Sequence, residues 1–269
     1  MKVIAEIGWN FMGDMNLAKK MIEKAQQSGA DIVKFQYWDP KYLSTGDWDN
    51  DGRREIYNKA ALDKHKIEFL RSECLKSNVG CLFSVFNLSG ARLMKSIGEH
   101  SIKIPSHEVA NYKLVQYAIT NFNKIYISTG ACTESELKKV VEIIKTDGCE
   151  NNVCLMHCVS SYPVNETDAN LKRILYLSQF GMEVGYSDHT QSVVVPALSV
   201  AYGSTVIEKH FTSDKNLPGR DNKFALNAEE FSSMVNNIRT AVSAAIDKGV
   251  DYQNIEKDTV NNYRGRWGS

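Results

Sequence analysis

The sequence has no long apolar run, no excess of either charge and no cysteine pairs at metal-ligand spacing. No stretch reaches the ~18 consecutive apolar residues of a spanning helix. The opening Met1-Lys2-Val3-Ile4-Ala5-Glu6 is charged by its sixth residue, unlike the core of a secretion signal. Basic and acidic residues number 32 each in 269, so neither nucleic acid nor an anionic membrane is an expected partner. Cys74, Cys81, Cys132, Cys149, Cys154 and Cys158 form no C-x-x-C. They read as reduced thiols of a cytoplasmic protein, not as a disulfide framework or a zinc ribbon. A glycine-rich phosphate turn is also missing: Gly8-Trp9-Asn10-Phe11-Met12-Gly13 is not G-x-G-x-x-G, which argues against a doubly wound open sheet.

What is present is a strand-then-helix order repeated eight times. Apolar, β-branched runs lie at 3–8, 31–36, 81–86, 101–106, 124–129, 152–158, 182–188 and 204–211. Between them stand amphipathic patterns at 16–28, 65–77, 89–97, 112–120, 133–144, 169–180, 192–202 and 228–248. Gly29 stops the first of these, and Thr133-Glu134-Ser135-Glu136 caps the fifth. Eight such units in about 250 residues predict an α/β fold, a (β/α)8 TIM barrel. The barrel is expected over residues 1–249, with 250–269 as a polar tail. One long loop, Tyr37 to Asp63, carries Trp38, Tyr42, Trp48 and an acidic run from Asp47 to Asp51. It reads as a lid or substrate loop; the spacing and closing glutamate of a calcium-binding EF-hand are absent.

The predicted strands end in polar residues. Strand 1 gives Glu6, with Asn10 just beyond. Strand 2 gives Lys34 and Gln36, strand 3 Ser84, and strand 4 Lys103, Ser106 and Glu108. Strand 5 gives Ser128, Thr129 and Gly130. Strand 6 gives His157, followed by Ser160, Ser161 and Tyr162. Strands 7 and 8 give Ser187, His189, Glu208 and His210. A structural core needs no such collection at one end, and the C-terminal strand ends are the active face of this fold. Two lysines among small hydroxyls suit an anion with several oxygens; the alternative for them is a surface ion pair. Period-two alternation puts Ser187 with His189, and Glu208 with His210. Two converging imidazoles point to a divalent metal with open positions, against the alternative that each is a satisfied core residue.

These segments resemble the N-acetylneuraminate (sialic acid) synthase family. The resemblance rests on Ala5-Glu6-Ile7-Gly8, Gly29-Ala30-Asp31-Ile32-Val33-Lys34-Phe35-Gln36, Lys103-Ile104-Pro105-Ser106-His107-Glu108 and Ile127-Ser128-Thr129-Gly130. It continues through His157-Cys158-Val159-Ser160-Ser161-Tyr162-Pro163, Gly185-Tyr186-Ser187-Asp188-His189-Thr190, Ile207-Glu208-Lys209-His210-Phe211-Thr212 and Leu217-Pro218-Gly219-Arg220-Asp221. It implies condensation of phosphoenolpyruvate with N-acetylmannosamine or a related N-acyl hexosamine, releasing phosphate by C–O cleavage. His189 and His210 would bind Mn2+ or Mg2+. Lys34, Gln36, Ser84, Lys103, Ser106, Ser128 and Ser187 would hold phosphoenolpyruvate. Asn10, Ser160, Tyr162 and Asp221 would face the sugar, with Glu108, Glu6 and Asp221 as catalytic groups.

The chain departs from the family pattern in four places. Asn10-Phe11 replaces the usual Asn-His, Arg220 replaces a proline, and Asn222 stands where many members carry histidine. The family continues into a small antifreeze-like domain that lends an arginine to the partner subunit. This chain stops at Ser269, so either a homodimer or a separate lid-domain protein is an expected partner, with Arg220, Arg264 or Arg266 as substitutes for the arginine. Two other readings stay open: a Schiff-base aldolase, which needs a buried lysine of lowered pKa and no metal, and a barrel that binds sugar or a partner protein without turnover.

Overall fold

The computed structural model describes residues 1–268, the side chain of Trp48 apart. Eight strands close into one parallel barrel in chain order. They are β1 Lys2–Gly8, β2 Ile32–Tyr37, β3 Gly80–Val85, β4 Ser101–Ile104, β5 Lys124–Ser128, β6 Val153–Cys158, β7 Glu183–Asp188 and β8 Val206–His210. The surrounding helices are α1 Met15–Gln27, α2 Arg53–Ala60, α3 Lys64–Lys76, α4 Leu88–Ser96, α5 Tyr112–Asn121, α6 Glu134–Thr146, α7 Arg173–Ser178, α8 Val195–Leu198 and α9 Ala228–Ala244, and α10 Lys257–Asn262 follows. The expected TIM barrel is therefore what forms.

Alternation along the strands divides the apolar residues into two layers. Val3, Ala5, Ile7, Val33, Phe35, Ile125, Ile127 and Leu155 join the large core shared with Met21, Ile22, Leu70, Leu114 and Val140 of the helices. Their alternates Ile4, Leu82, Tyr126, Cys154, Met156 and Val206 form a separate small cluster, the floor of the barrel interior. Helix ends follow local chemistry. Asp14 accepts from the backbone of Asn16 and Leu17 at the start of α1, and Gly29 ends that helix region with φ +93°. Thr133 and Glu136 form the expected capping box of α6.

Three expectations need correction. The helix expected at 169–180 begins only at Arg173, because Glu166–Asp168 winds as a 3-10 turn and Asn170 takes a left-handed φ of +46°. The helix expected at 192–202 is the short α8 followed by a 3-10 turn, Ser199–Tyr202. The long loop is partly helical: it holds α2 and two 3-10 turns, and its acidic run is answered by arginines, Asp51 by Arg53 and Asp49 by Arg54. Beyond residue 249 the chain carries α10, and Val250, Ile255 and Trp267 are exposed there. Among the described residues no helix is long and apolar enough to cross a membrane.

Candidate active site

Strand register assembles the site. Glu6 of β1 lies beside Lys34 of β2 on one side and beside His210 of β8 on the other. Ser84 of β3 lies beside both Gln36 and Lys103. Ser187 of β7 lies between Cys158 and Glu208. A parallel barrel thus brings side chains from distant parts of the chain onto one interior ring without any loop having to position them.

Four buried charges form the centre of this ring. Lys34 Nζ is 2.7 Å from Glu6 Oε2 and 3.6 Å from Glu208 Oε1. Lys103 Nζ is 2.7 Å from Glu208 Oε2. Ser187 Oγ donates to Glu208 Oε1 at 3.0 Å, and Gln36 Nε2 donates to Glu6 Oε1 at 2.6 Å. Burial alone would push Glu208 up, but Lys103 and Lys34 outweigh it and hold the carboxyl at about 2. For Glu6 burial wins over Lys34, and its pKa is raised. Burial disfavours the ammonium of Lys34, yet Glu208 and Glu6 reverse this and its pKa is raised. The lysines are thus paired, and Lys34 is the opposite of the neutral amine a Schiff-base aldolase needs. Glu208 is the residue that sequence reasoning left without a role. Its position two before His210, on the inward face, was the available signal.

The two histidines stand together above this quartet, as their strand ends predict, with ring centroids 5.5 Å apart. His189 Nδ1 is 2.8 Å from Val159 O, so Nδ1 donates there and Nε2 carries the lone pair when the ring is neutral; burial disfavours the charged ring, but Cys158 and the Val159 carbonyl outweigh it and the pKa is raised. His210 Nδ1 is buried without a hydrogen-bond partner among the described residues. Asp221 Oδ2 is 3.9 Å from it. Burial, His189 and Lys34 together keep His210 well below its ordinary pKa, that is, neutral. Two neutral-capable imidazoles, one with an orphaned nitrogen, fit a divalent ion. Among the described residues no group of three or more His, Cys, Asp or Glu converges to hold one. Such an ion would complete its shell with water and substrate oxygens.

The remaining predicted residues divide. Ser84 donates weakly to Phe35 O at 3.4 Å, Ser106 accepts from Gly130 N at 3.1 Å, and Ser128 is buried at the end of β5. Ser106 and Glu108 lie in a 3-10 turn after β4, not in the strand, and Glu108 accepts from Asn111 at 2.9 Å. Tyr162 is half-exposed and lies over His189, centroids 4.1 Å apart. Ser160 is exposed beside Cys158 Sγ at 3.8 Å. Asn10 is buried and donates to Phe211 O at 2.8 Å, so its amide latches β1 to β8, while Oδ1 has no partner among the described residues. Asn222 donates to Asn10 O and Pro218 O, fixing the turn that carries Asp221. His157 is a correction: it points away from the interior, its Nε2 2.7 Å from Ala169 O and its ring stacked on Tyr186. Its neighbour Cys158 points inward instead. Burial raises that thiol, but His189 at 3.8 Å brings it to about 7.

Comparison with known proteins agrees with this fold. The N,N'-diacetyllegionaminic acid synthase of Campylobacter jejuni is 34% identical over 258 residues, 91% of this chain and 77% of that one. The pseudaminic acid synthase of Helicobacter pylori is 32% identical over 257 residues, 90% and 75% respectively. The crystal structure of an N-acetylneuraminic acid (sialic acid) synthetase from Leptospira borgpetersenii, in complex with citrate, has a TM-score of 0.89 at 31% identity and covers 98% of this chain and 91% of that one. The NeuB family matches residues 21–250, a span that runs from α1 through the last helix of the barrel and includes every residue of the ring except Glu6. The chain is an enzyme of the NeuB family.

Proposed function

We propose that this enzyme condenses phosphoenolpyruvate with an N-acyl hexosamine to give a nonulosonic acid and inorganic phosphate. The observation that carries the reading is the stacking of two layers: an imidazole pair at the mouth, and a ring of ammonium and hydroxyl groups beneath it. An aldehyde oxygen belongs at the first and a phosphorylated carboxylate at the second.

Lys34 and Lys103, with Gln36, Ser84, Ser106, Ser128 and Ser187, bind the phosphate and carboxylate and fix C3 of the enol toward the mouth. Asn10, Ser160, Tyr162 and Asp221 orient the open-chain sugar. His189 and His210 hold a divalent cation, Mn2+ or Mg2+, which when bound polarises the aldehyde oxygen. C3 then attacks the aldehyde carbon, forming the C–C bond, and the aldehyde oxygen takes a proton. Glu6 is suited to supply it, since burial favours its protonated form. Glu108 accepts a proton from the water that adds at C2. Loss of phosphate from C2 with its bridging oxygen completes the balance: phosphoenolpyruvate, sugar and one water give the keto acid and phosphate.

The test is phosphate release from phosphoenolpyruvate with a panel of N-acyl hexosamines, with and without added Mn2+. Sugar-dependent release is expected, and His210→Ala should abolish it while leaving the circular dichroism spectrum unchanged. Binding of phosphoenolpyruvate without release from any sugar favours a barrel that only binds. A His210→Ala variant with near-wild-type turnover refutes the metal assignment.

A further inference from the structure

We infer that Trp9 is a positioning residue for this reaction: its indole N–H fixes the Asp221 carboxylate at the sugar end, and the long β2–α3 segment clamps the indole in place. The inference rests on the proposed role of Asp221.

The geometry begins at Gly8. Its φ is +57°, and a Cβ there would come within 3.0 Å of Glu6 Oε1 and 3.2 Å of Gln36 Nε2. Only glycine fits both the left-handed turn and the crowding. The turn carries Trp9 across the mouth toward the turn after β8. Trp9 Nε1 donates to Asp221 Oδ2 at 2.6 Å, joining residues 212 apart in the chain. This is the same oxygen that lies 3.9 Å from His210 Nδ1. A carboxylate held by one N–H from a rigid ring has its remaining lone pairs directed by that bond.

The indole is itself held. Tyr57 of α2 stacks on it, centroids 5.4 Å apart and planes within 9°. Trp38 meets both rings edge-on, at 5.8 Å from Trp9 and 5.5 Å from Tyr57, and donates its own Nε1 to Tyr57 O at 3.0 Å. Phe86 extends the cluster beyond Trp38. The segment that reads from sequence as a lid is therefore tied to Asp221 through two aromatic rings. Burial of the aromatic faces needs no indole–carboxylate bond, so the bond is what distinguishes positioning from packing.

The test is a cycle of Trp9→Phe, Asp221→Asn and the double variant. Trp9→Phe keeps a ring for Tyr57 and removes the N–H. We expect kcat/KM for the hexosamine to fall about tenfold or more, the size of a lost charge-assisted hydrogen bond, with KM for phosphoenolpyruvate unchanged. The double variant should lose little more than Asp221→Asn alone. Losses that multiply, or equal losses in both substrates, overturn the assignment. A second measurement leaves Trp9 intact: the Trp9 indole N–H resonance should move upfield in Asp221→Asn, and an unmoved resonance refutes the bond. No sugar-dependent phosphate release by the unaltered protein refutes the reaction instead, and the resonance test stands apart from it.

Discussion

Replacing Glu208 by glutamine removes one negative charge and almost no volume, and the structure says which group suffers. Lys34 keeps Glu6 at 2.7 Å. Among the described residues Lys103 keeps only Met156 Sδ, at 3.3 Å, because its one ion pair there is with Glu208. Leaving one buried charge without its partner costs about 3–5 kcal/mol. The depression of Glu208 from 4.5 to about 2 gives a second figure: at ~1.4 kcal/mol per unit it amounts to ~3 kcal/mol. We therefore expect Glu208→Gln to lower the free energy of unfolding by about 3 kcal/mol at pH 7, read by urea titration followed by circular dichroism with a chelator present. The sign of the pH dependence is fixed. The folded pKa lies below the unfolded one, so the contribution is complete above pH 4.5 and is lost as pH falls toward 2. The gap between variant and wild type should narrow through that window. Lys103→Met added to Glu208→Gln should recover part of the loss, since removing both partners of a buried pair is nearly neutral. A variant within ~1 kcal/mol of wild type at pH 7, well under the cost of an unpaired buried charge, or a gap that widens on acidification, would refute this account.

Two further expectations concern the scaffold. His157 is held neutral, its pKa pushed down to about 4 chiefly by burial. Between pH 6.5 and 4 the unfolded chain takes the proton first, so wild-type stability should fall as pH drops through that range, and His157→Gln should flatten this part of a urea-midpoint profile. Gly185 faces the barrel floor, where a Cβ would sit 2.8 Å from the backbone Val206 O. Gly185→Ala should lower stability by about 1–3 kcal/mol and reduce kcat through displacement of Ser187 and His189, measured by urea unfolding and phosphate release.

The sequence carried most of this fold because barrel strands are short, apolar and bounded by turn residues. The eight predicted runs differ from the eight strands mainly by a residue or two at each end, with strand 8 losing two at its start. Period-two reading paired Ser187 with His189 and Glu208 with His210, and all four face the interior. The polar strand-end reading failed at β6, where His157 lies outward and the apolar-looking Cys158 inward. Both faces of a barrel strand are buried, so polarity does not mark the interior side. Periodicity failed at α7 and α8, where a left-handed Asn170 and a proline-bearing turn shorten patterns whose hydrophobic period looked helical. Pairing of specific atoms was not legible at all. Nothing local to Trp9 points to Asp221, and nothing local to Lys103 points to Glu208, because each contact is created by closure of the barrel.

That closure has a consequence for chemistry. Two ammonium groups side by side in an apolar strand layer would each cost several kcal/mol to bury. Glu6 and Glu208 remove most of that cost, and the formal charges of the four cancel. In the proposed reaction an arriving dianion must compete with carboxylates already in contact with these lysines. The asymmetry between the two acids eases the exchange. Glu208 bridges both lysines and stays ionised, whereas Glu6 is biased toward its protonated form. In the proposed reaction, protonation of Glu6 would release Lys34 toward the anion and leave the proton beside the proposed sugar site. The hydroxyls of Ser84, Ser106, Ser128 and Ser187 carry no charge, so they add contacts to the anion at little desolvation cost. With both acids ionised the four charges cancel, and the raised pKa of Glu6 makes it the acid of the pair that takes up a proton first.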